Sequence, residues 1–432
     1  MSYRMAALAA SMLCLACAAS EVAAQAPSAA VEADTSNALE FPAAVTRALA
    51  ARPELRAYAT RREVEAARRT QAELRPPLEI GAELENVLGT GDVSGFKEAE
   101  LTLAIGTTWE RGDKLAARVA VAEAALVAID ADERLTVLEL SAETGRRFVM
   151  LAAEQERLSL AERAAIQAAA VRDAVALRVR AAQSPRSESL NAEIQLSTAM
   201  LARGDAERDI AAAQARLGEQ WGDPAARPRA SMALYEMPRP VGVAELESRL
   251  ERLPELEQFA SEARVRDAEI RLAQAQATTD WSWSAGVRRL EGIDDQALVF
   301  GFSLPLGTAK RAEPFVREAR AKLALIDAGR EATLLRLRTL LRAELEQLES
   351  ARAAEHAIRD HQLPQAQEVV QLTLAGYRLG RFPYRELALA QQQAFEFELR
   401  RLDAALSYHL SRVELERLIG STLPSAPEPA SH

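Results

Sequence analysis

Cysteine is nearly absent from this chain of 432 residues, because its only two cysteines, Cys14 and Cys17, lie close to the N-terminus. The rest of the sequence therefore has no disulfide, no thiolate metal site and no cysteine nucleophile. HExxH, Walker, GxGxxG and GxSxG motifs are also missing. We interpret the four histidines as ordinary surface residues: His356, His361, His409 and His432. The sequence predicts no enzyme, no resident metal and no cofactor.

Glycine, proline and aromatic residues are also scarce. The chain contains 19 glycines, 18 prolines and 5% aromatic residues, which argues against an all-β protein rich in turns. Hydrophobic residues make up 49% and charged residues 27%, a composition typical of long helices and coiled coils. Because 53 Lys and Arg face 63 Asp and Glu, the formal net charge is −10. A nucleic-acid partner, which needs a cationic surface, is therefore not expected.

The N-terminus has the pattern of a secretory signal peptide. Arg4 precedes an apolar run at residues 5–19, which is too short to span a membrane and is followed by small residues. We predict cleavage after Ala24. Lipoprotein processing at Cys17 is the alternative, although Cys14 stands where a lipobox usually has leucine. Either route predicts an exported protein.

The sequence contains an internal repeat. Residues 53–55 recur as 254–256, and the segment from Leu217 to Gly222 recurs from Leu415 to Gly420. A period of about 200 residues is too long for a solenoid and indicates two homologous halves. The predicted organisation is a signal peptide (1–24), an N-terminal linker (25–37), a first repeat (38–222), a Pro-rich linker (223–240), a second repeat (241–421) and a flexible tail (422–432).

Each half has the same predicted order: an initial helix, two strands, a very long helix and a second helix. Between residues 113 and 184 only Gly145 interrupts a heptad-like apolar pattern. About 70 helical residues span roughly 100 Å, so this rod needs neighbours of similar length. We expect a less regular rod in the second half, where Pro314 and Pro364 fall in the matching stretch.

Four segments alternate between apolar and polar residues, which is typical of membrane β-strands. We predict strands at about 78–88, 98–109, 281–291 and 296–306. One face should contact lipid: Leu78, Ile80, Leu84, Leu101, Leu103, Ile105, Phe300, Phe302 and Leu304. The tryptophans suit an interfacial aromatic belt: Trp109, Trp281 and Trp283.

A soluble hairpin packed on a helix would also alternate, but two equivalent hairpins in two repeats favour a barrel. Four strands cannot close a barrel, and open sheet edges are not tolerated in lipid. We therefore expect several chains to share one barrel, with three chains of four strands supplying twelve.

At this point the sequence resembles the TolC family of outer-membrane efflux channels. The resemblance covers residues 38–421 and rests on the duplicated plan and on the GYRLG motif at 376–380 with the following Glu386. Within the family the chain is most similar to the CzcC-like cation-efflux branch, through ELEN at 83–86 and WERGDK at 109–114. Asp113 stands where the branch usually has a second glycine.

The resemblance implies a homotrimer, with a twelve-stranded β-barrel in the lipid of a Gram-negative outer membrane and a long α-helical barrel in the periplasm. It implies a passive exit duct whose partners are a periplasmic adaptor and an inner-membrane pump of the resistance-nodulation-division (RND) type. Two alternatives remain: a family channel for multidrug efflux or type I secretion, and a periplasmic coiled-coil scaffold.

The resemblance also assigns roles to the helix breaks near 182–185 and 380–383, which in the family lie far from the outer membrane. Adaptor contacts are expected at five residues: Val179, Ala182, Tyr377, Leu379 and Gly380. A gate is expected at Glu386, with Arg381 and Arg385 forming ion pairs that close it. The alternative is that Gly and Pro simply end helices and that Glu386 is a helix-start carboxylate favoured by the dipole.

The polar strand face suggests the cargo. If the apolar faces contact lipid, five carboxylates line the pore: Glu79, Glu83, Glu85, Glu98 and Glu100. Such a wall, offset in part by Arg288, should concentrate cations. Without histidine or thiolate it should not trap a transition metal. The alternative is that these charges only keep a wide lumen hydrated.

Overall fold

The computed structural model describes residues 38–250 and 252–422. Several predictions lie outside these residues: the signal peptide (1–24), the N-terminal linker (25–37), lipidation of Cys17, the exposure of His432, and the C-terminal tail beyond residue 422.

The two halves contain corresponding elements in the same order, except that the long helix of the first half is matched by two helices in the second. The first half comprises β1 (Ala38–Leu39), α1 (Phe41–Ala51), α2 (Pro53–Ala72), β2 (Glu79–Glu85), β3 (Glu100–Trp109), α3 (Lys114–Arg180) and α4 (Arg186–Gly218). The second half comprises β4 (Arg229–Ala230), α5 (Val243–Leu250), α6 (Pro254–Ala275), β5 (Trp281–Leu290), β6 (Asp295–Ser303), α7 (Thr308–Ala357), α8 (Leu363–Arg378) and α9 (Tyr384–Ile419). The expected fold class, mainly α with a small β part, is confirmed.

The initial helix of each half is two helices rather than one. The break falls at Pro53 in the first half and at Pro254 in the second, and each proline begins the second helix of its pair. Proline is favoured there because its missing N–H would have no partner in the first turn. Glu54 and Glu255 follow in that turn, where the helix dipole stabilises a carboxylate.

The long rods have the predicted length. α3 runs for 67 residues, about 100 Å, without a break. Gly145 permits close packing there, because a Cβ would lie 3.2 Å from both Phe41 and Val413. In the second half α7 and α8 are joined by a π-helical turn at Ile358–Gln362. This wider turn accommodates Pro364, so the irregularity expected of the second rod is concentrated in one place.

The four long strands form one antiparallel sheet in the order β2-β3-β5-β6. One cross-strand row aligns Ile80, Ile105, Ala285 and Phe300, so the apolar faces of all four strands coincide. β6 is shorter than expected at the end next to α7. β2, β3 and β5 are shorter than expected at the opposite end, where turns join β2 to β3 and β5 to β6 and which we call the loop end. In particular β3 begins at Glu100, so Glu98 lies in the preceding turn and not in a strand.

The apolar face of the sheet is exposed in the single chain. Ile80 is 83% exposed and Phe300 77%, and every residue predicted to face lipid is an exposed hydrophobic side chain. On the opposite face Thr102 is only 6% exposed. A contiguous apolar surface of this kind needs a nonpolar environment. No helix within residues 38–250 and 252–422 is both long enough and apolar enough to cross a bilayer.

The main core lies where α1, α3, α5, α7 and α9 meet the segment between the repeats, and Phe148, Leu151 and Leu402 are almost completely buried there. The predicted linker at 223–240 is an ordered part of this core. Gln155 of α3 makes two hydrogen bonds to the backbone of Ala230, at 2.8 and 2.9 Å.

The interpretation of the histidines as surface residues is wrong for His409. It is 3% exposed, and its Nε2 lies 2.8 Å from the carbonyl oxygen of Leu234. The neighbouring Tyr408 hydroxyl donates to the carbonyl oxygen of Pro238 at 2.6 Å. Both side chains are therefore used to hold the inter-repeat segment against α9.

Candidate functional site

The polar face of the sheet carries four of the predicted pore carboxylates. The register places Glu85 directly opposite Glu100, and Glu83 opposite Thr102, which in turn faces Arg288. Both of these cross-strand rows lie near the loop end of the strands. Glu79 lies at the other end, nearer the helices.

Arg288 is the centre of the charged cluster on this face. Its Nη1 lies 2.8 Å from Glu100 Oε2, its Nη2 lies 2.9 Å from Glu85 Oε2, and its Nε donates to Thr102 Oγ1 at 2.9 Å. The contact with Glu100 is an aligned hydrogen bond. The contact with Glu85 is an ion pair without hydrogen-bond alignment. Asn86 donates its side-chain N–H to the other oxygen of Glu100 at 3.0 Å.

The other three predicted pore carboxylates, Glu79, Glu83 and Glu98, are not part of the cluster around Arg288. Glu79 and Glu83 are exposed, and within the described part of the chain neither has an Arg, Lys or His nitrogen within 4 Å. Glu98 is also exposed, but it lies over Gly292 in the turn between β5 and β6. Among the described residues no group of three or more His, Cys, Asp and Glu side chains is arranged to hold a metal ion.

The tryptophans lie together on the apolar face at the helix end of the sheet. The rings of Trp109 and Trp281 stack with centroids 6.1 Å apart, and Phe302 lies 5.7 Å from Trp281. Trp283 follows on the same face, opposite Thr107. This cluster has the position that an interfacial belt would require.

The WERGDK segment fastens the sheet to the helices. Lys114 forms a 2.6 Å ion pair with Asp280, and Arg118 binds both carboxylate oxygens of Glu110. Gly112 and Asp113 both have positive φ, at 73° and 56°. The left-handed region favours glycine but tolerates aspartate, which explains how Asp113 replaces the usual second glycine.

The two helix breaks lie side by side at the end of the rods away from the sheet. Arg178, in the last turn of α3, lies 4.8 Å from the ring of Tyr377 in α8. It also donates to the carbonyl oxygens of Tyr377 at 2.7 Å and Arg378 at 3.1 Å. The Tyr377 hydroxyl reaches Glu188 of α4 at 3.4 Å. These contacts join the two helical hairpins within one chain.

The structure separates the predicted adaptor contacts into two groups. Leu379 is 68% exposed, and Ala182 and Gly380 are also exposed at the turns. Val179 is half-buried against the small core beneath them. Tyr377 is only 2% exposed, so its prediction as a contact residue is wrong.

Two glycines shape the backbone on either side of Tyr377. A Cβ on Gly376 would overlap the ring of Phe382, so glycine lets that ring pack against the helix. Gly380 has φ 72°, which turns the chain back toward α9. Arg178 was not predicted as a functional residue, because its only signal in the sequence is a basic residue in the last turn of a long helix.

The predicted gate residues lie at the start of α9. Glu386 is in the first turn, and Glu386, Arg381 and Arg385 are all exposed. Within the described residues of the chain neither arginine lies within 4 Å of a Glu386 carboxylate oxygen. The expected ion pairs between these residues are therefore not formed within one chain.

Comparisons with known proteins agree with this architecture. No family model matches the chain. It is 24% identical to the cobalt-zinc-cadmium resistance protein CzcC of Cupriavidus metallidurans over 321 residues, which are 72% of this chain and 75% of that protein. The relationship confirms the resemblance seen in the sequence.

Solved structures share the fold over most of the chain. CusC has a TM-score of 0.73 at 15% identity, covering 88% of this chain and 92% of that one. A membrane protein from Pseudomonas aeruginosa has a TM-score of 0.72 at 17% identity, covering 91% and 92%. The outer membrane protein VceC from Vibrio cholerae has 0.71 at 16%, covering 88% and 96%. The chain therefore has the fold of outer-membrane channels.

Proposed function

We propose that this chain, a homologue of CzcC with the fold of the TolC family of outer-membrane channels, forms the outer-membrane exit duct of a tripartite efflux system. The observation that carries the proposal is a four-stranded sheet with one exposed apolar face and one charged face, attached to two helical rods. Such a sheet separates lipid from water, and the rods extend the passage on one side.

The sheet edges argue for a trimer. Within the described residues β2 and β6 each pair with a strand on one side only. Unpaired backbone groups cost several kcal/mol each in lipid, so each edge needs a strand from another copy. Three copies supply twelve strands, an even number within the range of bacterial barrels. A strand of 10 residues is roughly 33 Å long, and tilted by about 40° it spans the apolar band of about 25 Å.

The length of the rods indicates where the partner proteins would bind. The paired turns lie about 100 Å along α3 from the sheet, which places them deep in the periplasm when the sheet is in the outer membrane. Ala182, Leu379 and Gly380 are exposed there and would contact a periplasmic adaptor, which links the duct to an inner-membrane RND pump. Trp109, Trp281 and Trp283 would then lie at the periplasmic interface of the membrane.

The charged strand face favours cations as cargo, in line with the metals named for CzcC. Among the described residues Glu79 and Glu83 are exposed and have no basic partner, whereas Glu85 and Glu100 share Arg288. Carboxylates along a pore attract cations, whereas dispersed oxygen ligands do not retain a transition metal. The duct would therefore pass divalent or heavy-metal ions without storing them.

Reversal potentials in planar bilayers test the cargo. We expect purified trimers to prefer cations in a dilute KCl gradient and to lose much of that preference at high salt through screening. The double variant Glu79→Gln and Glu83→Gln should reduce the preference. Glu247→Gln, which removes a carboxylate of α5 far from the sheet, should not. An open wild-type pore without cation preference at low salt would favour the multidrug or secretion alternative.

A further inference from the structure

We infer that Arg288 determines how the duct treats divalent cations: it occupies the space between Glu85 and Glu100 and so prevents this carboxylate pair from binding the ions that pass. The inference rests on the proposed function. It concerns the specificity of the same charged face and assigns to Arg288 a role that follows from its contacts.

The strand register places two carboxylates next to each other, and Arg288 offsets their repulsion. Glu85 and Glu100 are cross-strand partners on neighbouring strands, and like charges directly opposite each other repel. Both side chains are partly covered, at 41% and 22% exposed, so water screens them only in part. The guanidinium of Arg288 contacts both at under 3 Å and neutralises one of the two charges.

Without the guanidinium the same atoms would suit a hard cation. Glu85 and Glu100 supply carboxylate oxygens, and Thr102 supplies the hydroxyl oxygen that now accepts from Arg288. Calcium favours such a set of oxygen ligands in a flexible arrangement. Ions conduct well only when they bind weakly enough to leave. Without Arg288, a divalent cation bound between Glu85 and Glu100 would therefore leave slowly, and the passage of ions through the duct would slow.

The neighbouring arginine provides a matched control. Arg289 follows Arg288 in β5 but belongs to the opposite, apolar face, where it pairs with Glu291 and Asp294 at the end of the hairpin. Replacing either arginine removes one positive charge from the same part of the strand. Of the two arginines, only Arg288 contacts the carboxylate pair.

The experiment measures single-channel conductance of trimers in dilute KCl at pH 8, before and after adding millimolar CaCl₂. Wild type and Arg289→Gln should change little. In Arg288→Gln we expect roughly twofold or greater loss of potassium conductance on adding calcium, because calcium would occupy the site. Adding Glu85→Gln to Arg288→Gln removes the pair and should abolish the block.

Two outcomes would overturn the inference: Arg288→Gln trimers that respond to calcium as wild type does, or a block that persists when Glu85 is also replaced. If Arg288→Gln does not assemble, Glu85→Gln with Glu100→Gln supplies the test, since Arg288 is then unneutralised. Cation preference should fall in that variant, and an unchanged reversal potential would contradict the inference. If wild-type trimers show no cation preference, the proposal that the cargo is a cation is contradicted instead. The effect of calcium on Arg288→Gln trimers would still test the role of Arg288.

Discussion

His409 lies in the core beside the inter-repeat segment, where burial lowers its pKa from 6.5 to about 4. The hydrogen bond to Leu234 acts in the opposite direction, and Arg412 adds to the lowering. Because the carbonyl oxygen of Leu234 can only accept, Nε2 carries the proton and the ring is neutral in the folded protein.

This neutral ring predicts a loss of stability in acid. The unfolded chain binds a proton at His409 below about pH 6.5, whereas the folded chain does so only near pH 4. The stabilisation is therefore fully present above pH 6.5 and is lost as the pH falls toward 4, by a total of about 3 kcal/mol.

Thermal denaturation of detergent-solubilised trimers between pH 7.5 and 5 measures the effect. His409→Gln cannot titrate, so its denaturation temperature should fall less steeply with pH than that of wild type. His361→Gln, at an exposed position in the π-helical turn, is the matched control and should follow wild type. Parallel curves for wild type and His409→Gln would contradict the prediction.

For single residues, the property that the sequence predicted least well was whether a side chain points into the core or toward the surface. The GYRLG motif marks the turn at 376–380, but Tyr377 is buried because Arg178 of α3 and Tyr384 of α9 lie against its ring. His409 is buried because the inter-repeat segment covers it. Both contacts depend on how segments fold back on each other, which a pattern of residue types does not contain.

The strands of the sheet carry the second prediction. Ile105 lies midway along β3 in the row with Ile80, Ala285 and Phe300, on the face proposed to contact lipid. An arginine near the middle of the bilayer costs about 2–4 kcal/mol, and near the interface about 0–1 kcal/mol. Ile105→Arg should therefore strongly reduce folding stability and the yield of trimers.

Gln296 provides the control at a different depth. It lies on the same face but near the loop end, opposite Arg289. Gln296→Arg should cost little by comparison. Urea unfolding from liposomes, monitored by the heat-modifiable mobility of the barrel, compares the two variants, and equal costs would contradict placement of this face in the hydrocarbon layer.

The elements themselves were largely predictable. The period-two alternation predicted which strand faces coincide, because a shift of one residue in register would move the apolar side chains of a strand to the opposite face. The scarcity of Gly and Pro from 113 to 184, where Gly145 is the only one of either type, predicted the α3 rod. The strand ends were less accurate, since turns containing Asn86 and Leu88 in left-handed conformation begin before the alternation has ended. Pro314 misled because it lies within α7 without interrupting it, whereas Pro364 directly follows the π-helical turn.

The whole molecule is held together by contacts between its repeats. The segment at 223–240 was predicted as a linker from its prolines, yet its backbone is bound by Gln155, Tyr408 and His409. At the far end of the rods Arg178 connects α3 to Tyr377, 199 residues later in the chain. The duplicated plan could be predicted from the repeat, but these pairings could not, because the residue types that make them do not recur at the equivalent positions of the other half.

The far end of the rods carries the last prediction. Leu379 is exposed at the turn after α8, whereas Tyr377, two residues earlier, is enclosed by Arg178 and Tyr384. A carboxylate at Leu379 would place a desolvated charge in an apolar contact with the adaptor. Leu379→Glu should therefore abolish metal resistance in cells while the trimers in the outer membrane remain intact. Tyr377→Phe keeps the buried ring and loses only the 3.4 Å contact to Glu188, so it should export normally. If Leu379→Glu cells remain resistant, this surface is not where the adaptor binds, and the exposed side chain serves only to end the helix.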